Sequence, residues 1–140
     1  MAQVGELIIT GDPASDITQA RSGQHWALRV NSSNEGGTGK LPVTRCGSAA
    51  DADEVVGQYV RWSSSDAVDV RIRGILELRT TVTYATSMNG QGVQAVGTGA
   101  NQLGTVENSG TLGDGFGKII GSRTIGSGAS AYTVLRVLVV

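Results

Sequence analysis

His25 is the only histidine in the chain, so any arrangement in which an imidazole takes the proton of a serine or cysteine nucleophile would have to be built on it. It heads the apolar run His25 to Val30 (HWALRV) beside Trp26, where a packed or surface side chain is the better reading. Gly37-Thr38-Gly39-Lys40 has the composition of a phosphate loop. It lacks the Gly-x-x-x-x-Gly-Lys-Ser/Thr spacing, and Leu41-Pro42 opens a strand where a helix N-terminus would be needed. Gly113-Asp114-Gly115-Phe116-Gly117-Lys118 also leads into no helix. Asp51, Asp53 and Glu54 bring three carboxylates within four residues, the donor type of a hard cation such as calcium. They depart from the EF-hand pattern, and a solvated acidic turn is the plainer reading. The single Cys46 has no partner for an internal disulfide and cannot alone hold a metal; it reads as a small packed residue. No acid, base, nucleophile or metal cluster assembles from these residues, so the expectation is a protein that is not an enzyme and uses no cofactor.

The other polar side chains with reach are Arg71, Arg73, Glu77 and Arg79, and the element that carries them organises the chain. Val68 to Tyr84 (VDVRIRGILELRTTVTY) places Val68, Val70, Ile72, Gly74, Leu76, Leu78 and Val82 on even positions and the charged residues on odd ones. Period-2 alternation predicts a strand with one face in a core and one in water. Seventeen residues at about 3.3 Å each exceed an ordinary strand. A bend is therefore predicted, with Gly74 as its natural place. The charged stripe is an ordinary solvated face or a docking surface. Trp26 and Trp62 are expected to anchor the core or a subunit contact rather than to stack a sugar or base.

A chain of 140 residues fits one domain and can bury about two-thirds of its unfolded surface. It has 21 glycines, 4% aromatic and 16% charged residues, against about 7% glycine and 25% charged residues in average domains. Many glycines with short runs of Val, Ile, Thr and Ser predict an all-β fold, a compact β-barrel or β-sandwich with glycine-rich loops. The net charge of -1 with interspersed signs gives no footprint for nucleic acid or an anionic membrane. Met1 to Glu6 has neither a basic region nor a long apolar run, so no signal peptide or transmembrane helix is expected and synthesis in a cytoplasm is.

Strands are predicted over residues 5–10, 25–30, 41–46, 55–62, 93–96, 118–122 and 131–140 besides the ribbon. Pro42 places the start of its strand at an edge, and Asn89-Gly90 is a strong turn pair. Asp12 and Pro13 are suited to start a brief helix over 14–20, or residues 1–22 form an extended arm ahead of a β domain at 23–140. Such an arm would gain order by docking, with Leu7, Ile8 and Ile9 adding a strand to a neighbouring edge. The closing run AYTVLRVLVV needs pairing on both edges, in a closed barrel or at a subunit interface. Strand, small-residue turn and Arg-bearing apolar strand occur twice, at 56–72 and 118–137, as two related half-barrels would produce.

Several stretches follow one another in a telling order: Gly39-Lys40-Leu41-Pro42-Val43, the acidic Ala49-Ala50-Asp51-Ala52-Asp53, Val55-Val56-Gly57, and Val68-Asp69-Val70 running to Gly74. Gly90-Gln91-Gly92-Val93, Gly117-Lys118-Ile119-Ile120-Gly121 and Val134-Leu135-Arg136-Val137-Leu138-Val139 complete the pattern. This order, over about 110 residues, resembles the small capsid decoration, or cement, proteins of tailed bacteriophages. The resemblance implies a homotrimeric structural protein of the virion on the outer capsid surface, made in the host cytoplasm. Its partner would be the major capsid protein, whose subunit joints it would span against the pressure of packaged DNA. The partner contacts expected are Leu7, Ile8, Ile9, Trp62, Arg71 and Arg73, with trimer contacts near Trp62 and the closing strand. The alternative is a carbohydrate- or receptor-binding β domain of a viral fibre or surface protein, which would expose aromatic side chains over a groove.

Overall fold

A computed structural model describes residues 5–31, 39–47, 55–96 and 102–140 of the chain. Its spine is the ribbon read from the alternation, a strand over Ala67–Thr80 (β5, with the others numbered in chain order). Val68, Val70, Gly74, Leu76, Leu78 and Thr80 are buried, while Arg73 and Ile75 are exposed. Gly74 has φ +102, a conformation that side chains with a Cβ rarely adopt. It also lets the backbone approach β1 closely: a Cβ there would lie 3.2 Å from Glu6 Cα. The ribbon stops at Thr80, short of the predicted Tyr84. There the Thr80 hydroxyl donates to the Val106 carbonyl at 2.6 Å and accepts the Val82 N–H at 3.1 Å, drawing the backbone out of the ladder.

Before Gly74, β5 belongs to a closed five-stranded barrel. β1 (Leu7–Pro13) runs parallel to β3 (Leu41–Arg45), β3 pairs antiparallel with β2 (Ala27–Val30), β2 with β4 (Val55–Ser64), and β4 with β5. The antiparallel pairing of β1 with β5 closes the ring. Leu28, Val43, Tyr59, Val68 and Val70 fill the interior, and the Tyr59 hydroxyl, at the end of a buried ring, donates to the Thr18 carbonyl at 2.9 Å. From Gly74, β5 pairs through all seven residues to Thr80 with β9 (Tyr132–Val139), and β9 pairs with β8 (Lys118–Ile125). β7 (Val106–Leu112) joins β5 at Thr80 and pairs with β6 (Gln91–Ala95). The bridge Val93↔Phe116 and the Gly90 N–H to Ile119 carbonyl bond draw β6 round to β8. Leu76, Leu78, Val93, Ile119, Leu135 and Val137 form this second core. β9, the apolar closing run, is thus paired on both edges as its composition demands.

Several expectations change. The segment predicted as an arm is a barrel strand from Leu7 to Pro13, hydrogen-bonded on both sides to its own chain. Its position depends on Gly11, where a Cβ would meet Val70 Cγ2 at 2.9 Å and Val43 Cγ2 at 3.1 Å, so β1 can lie directly on the valines of the barrel. Leu7 to Gly11 pair with β5 and Gly11 to Pro13 with β3, so the segment docks on its own chain rather than on a neighbour. No helix forms over 14–20. Ile17 is buried in the barrel and Asp16 accepts the Thr44 hydroxyl and the Arg45 N–H, leaving one 3-10 turn at Gln19–Arg21. Pro42 lies opposite Asp12 inside the barrel ladder, and its carbonyl accepts the Asn31 N–H just past the end of β2. The missing N–H therefore falls where the neighbouring strand has run out, and no sheet edge is needed. β7 was not anticipated, because of its residues only Val106 is buried.

Candidate functional site

The outward face of β5 carries Arg71, Arg73, Ile75, Glu77 and Arg79. Register extends it across the neighbouring strands: Ile8 stands opposite Arg71, Leu7 opposite Arg73, Leu138 opposite Ile75 and Arg136 opposite Glu77, with Lys118 opposite Leu138 in turn. Of the chain's 11 lysines and arginines, Arg71, Arg73, Arg79, Lys118, Arg123 and Arg136 are on this surface, with Glu6 and Glu77 as the acids that pair with them. Charges interspersed in sequence are sorted onto one side by strand alternation, giving a basic face on a chain of net charge -1. The face has two parts of different character.

At the end nearer Thr80 the charges are tied together. β4 and β5 separate here, and the buried Gln58 fills the gap, its side-chain oxygen accepting the Glu77 N–H at 2.9 Å. The chain ahead of β2 lies alongside, its His25 carbonyl accepting the Arg79 N–H at 2.8 Å. His25 adopts φ +65, a left-handed conformation costly for a side-chain-bearing residue. It turns the imidazole inward, with Nδ1 hydrogen-bonded to the Tyr132 hydroxyl at 2.8 Å and Nε2 3.7 Å from Glu77 Oε1. The Glu77 carboxylate accepts from Arg123 at both oxygens, at 2.8 and 2.6 Å, and Arg136 Nε lies 3.6 Å away.

The Arg123 hydrogen bond holds the Glu77 carboxyl below its usual range, and burial pushes the His25 imidazole down and the Tyr132 phenol up. The Arg79 guanidinium lies 4.2 Å from the Trp26 ring centre and 3.7 Å from that of Tyr132, and Arg45 lies 5.2 Å from Trp26. These are cation–π distances. Chemically this end is an internal tie. Its one carboxylate is already doubly hydrogen-bonded, and its imidazole is flanked by a phenol and that same carboxylate.

The end nearer Gly74 is open. Leu7, Ile8, Ile75 and Ile120 are each exposed by 39 to 42%. Register irregularities place three of these residues. A shift between Leu7 and Ile8 leaves both outside, and a bulge between Ile119 and Gly121 turns Ile120 out while Ile119 stays buried. The row Lys118, Leu138, Ile75 crosses this region, and a cleft of about 240 Å³ opens beside it, lined by Gly117, Lys118, Leu138, Val139 and Val140. Arg71 donates to Glu6 at 3.2 Å and Gln58 at 3.4 Å. Arg73 and Lys118, both exposed, have no ion pair or side-chain hydrogen bond among the described residues.

Of the residues expected to contact a partner, Leu7, Ile8, Arg71 and Arg73 meet on this open region. Ile9 and Trp62 do not; they lie opposite Val70 and Val68 and pack against the barrel core. Lys40 donates to the Asp66 carbonyl at 2.8 Å, and Cys46 is fully buried. Asp51, Asp53, Glu54, Gly37 and Thr38 lie outside the described residues, among which no three His, Cys, Asp or Glu side chains gather as a metal would require. No helix among the described residues is long and apolar enough to cross a membrane. Leu138 lies on the closing strand, where trimer contacts were expected; Lys118 and Ile120 were not anticipated. Ile75 had a sequence signal, as an isoleucine in the charged phase of the ribbon. Comparison with family models, curated proteins and solved structures found no match.

Proposed function

We propose that this chain is a structural protein of a phage virion that sits on the outer capsid surface as a homotrimer. There it binds the major capsid protein and cements joints between its subunits. Its own chemistry would not be catalytic. The observation that carries this reading is the open end of the β5 face, where Leu7, Ile8, Ile75 and Ile120 stand exposed beside Arg73 and Lys118, cations with no ion pair among the described residues. An exposed surface that mixes aliphatic and basic side chains suits another protein, and the order of elements along the chain favours a capsid as that protein. Three copies would present the patch three times, and each engaged patch raises the effective concentration of the others.

The alternative of a carbohydrate-binding domain is less well supported. Trp26 and Tyr132 hold the Arg79 guanidinium against their rings, and Trp62 packs on the barrel core, so these aromatic groups are engaged within the protein. The test is light-scattering mass together with co-sedimentation on capsids stripped of the protein. A trimer that rebinds and raises the heat resistance of the capsids is the expected result. A monomer that leaves capsids unchanged overturns the reading.

A further inference from the structure

The geometry points to an extended, acidic and aliphatic protein segment as the occupant of the open region, lying across Ile75 and Leu138 with its carboxylates on Arg73 and Lys118 and one aliphatic side chain in the adjoining cleft. This names the chemistry of the partner and rests on the docking role proposed above. Three observations select that occupant.

The first is charge. Arg73 and Lys118 are exposed cations without an acidic partner among the described residues, and they flank an aliphatic strip, so a complementary surface supplies carboxylates around apolar side chains. Two copies of this face turned toward each other would oppose like charges, which disfavours a second copy stacked face to face. The second is that the strands under Ile75 and Leu138 are paired with one another. β5 pairs with β1 and β9, and β9 pairs with β5 and β8, so a partner contacts side chains and cannot add a strand between them. The third is the cleft, whose walls Leu138, Val139 and Val140 are aliphatic and whose rim carries Lys118. An aliphatic side chain fits the walls, and a carboxylate two residues along, on the same face of an extended segment, reaches the lysine. The same aliphatic strip argues against nucleic acid, since stacking platforms for bases are aromatic.

The test uses the full chain and a fluorescein-labelled peptide of the repeat Leu-Ser-Glu-Ser, which in extended form carries leucine and glutamate on one face, followed by anisotropy. The wild type is expected to bind it, with affinity falling at least tenfold in the Arg73→Glu/Lys118→Glu variant and severalfold in Ile75→Thr. An Arg73→Gln/Lys118→Gln pair provides a neutral version, and circular dichroism checks that each variant is folded. An unchanged affinity in the charge variants overturns the inference. So does equal binding of a leucine-lysine peptide or of a single-stranded oligonucleotide.

Stripped capsids separate this inference from the decoration role. If the wild type does not rebind them, the decoration role fails and the peptide result alone judges the inference. If the wild type and Arg73→Glu/Lys118→Glu rebind equally, the inference fails and the decoration role stands.

Discussion

Glu77 and Arg73 project from the same face of one strand, yet the Glu77 carboxylate takes hydrogen bonds from Arg123 at both oxygens while the Arg73 guanidinium meets no acid among the described residues. The difference follows from what lies beside β5 on either side of Gly74. Beyond the glycine, β9 brings Arg136 opposite Glu77 and Tyr132 toward His25, and the chain before β2 closes over Arg79. Before it, the neighbour of Arg73 is Leu7, which has no charge to offer. Composition alone does not distinguish a charged stripe that holds a protein together from one that is left for something else; the cross-strand neighbours decide.

If the end near Thr80 is an internal tie, removing its anion is the most damaging change on this face. Glu77→Ala should cost about 2 to 3 kcal/mol of folding stability in urea unfolding, because Arg123, Arg136 and His25 lose a shared, largely shielded acceptor. A cost near zero would make the two ends equivalent. The boundary between them is tested by Gly74→Ala, which puts a Cβ into a backbone at φ +102 and 3.2 Å from Glu6 Cα. A loss of about 1 to 3 kcal/mol is expected in the same assay. Full stability there would mean the bend tolerates side chains.

A smaller effect concerns acid. The folded state holds the His25 pKa down, so below the unfolded value of about 6.5 the unfolded chain takes up a proton that the folded chain resists, and stability falls as pH drops. The depressed Glu77 carboxyl acts in the same direction at lower pH: its contribution is complete above the unfolded carboxylate pKa and is lost as pH falls through the folded value. His25→Asn, which tolerates φ +65, should flatten the decline of melting temperature between about pH 7 and pH 5. An unchanged slope would assign it elsewhere. At the open end, Arg73→Ala and Lys118→Ala should each change stability by less than about 0.5 kcal/mol while weakening partner binding. A larger stability loss would show that these cations have an internal role.

Much of the architecture was legible locally. The alternation from Val68 to Leu78 and the special backbone position at Gly74 depend on neighbouring residues, so the sequence expressed them directly. The all-β class followed from glycine and β-branched content. What could not be read depends on distant contacts. The His25–Tyr132 hydrogen bond joins residues 107 apart, and no spacing rule reaches that far. Leu7 to Gly11 looked like part of an arm because the strand it pairs with and the valines under Gly11, Val43, Val68 and Val70, come from distant parts of the chain. Ile9 and Trp62 were grouped with the partner contacts on residue type, but register places both against the core. Ile120 escaped notice because a bulge, which sequence does not mark, sets which of two adjacent isoleucines turns outward.

β5 is common to the barrel and to the second core, and Gly74 joins its two halves without a break in the chain. Neither half can lose this strand without stripping the other, so heat should melt both in one cooperative transition rather than in two. Tension applied to the barrel likewise reaches the second core along covalent backbone as well as through side-chain contacts. A body wired in this way resists being pulled apart from either end.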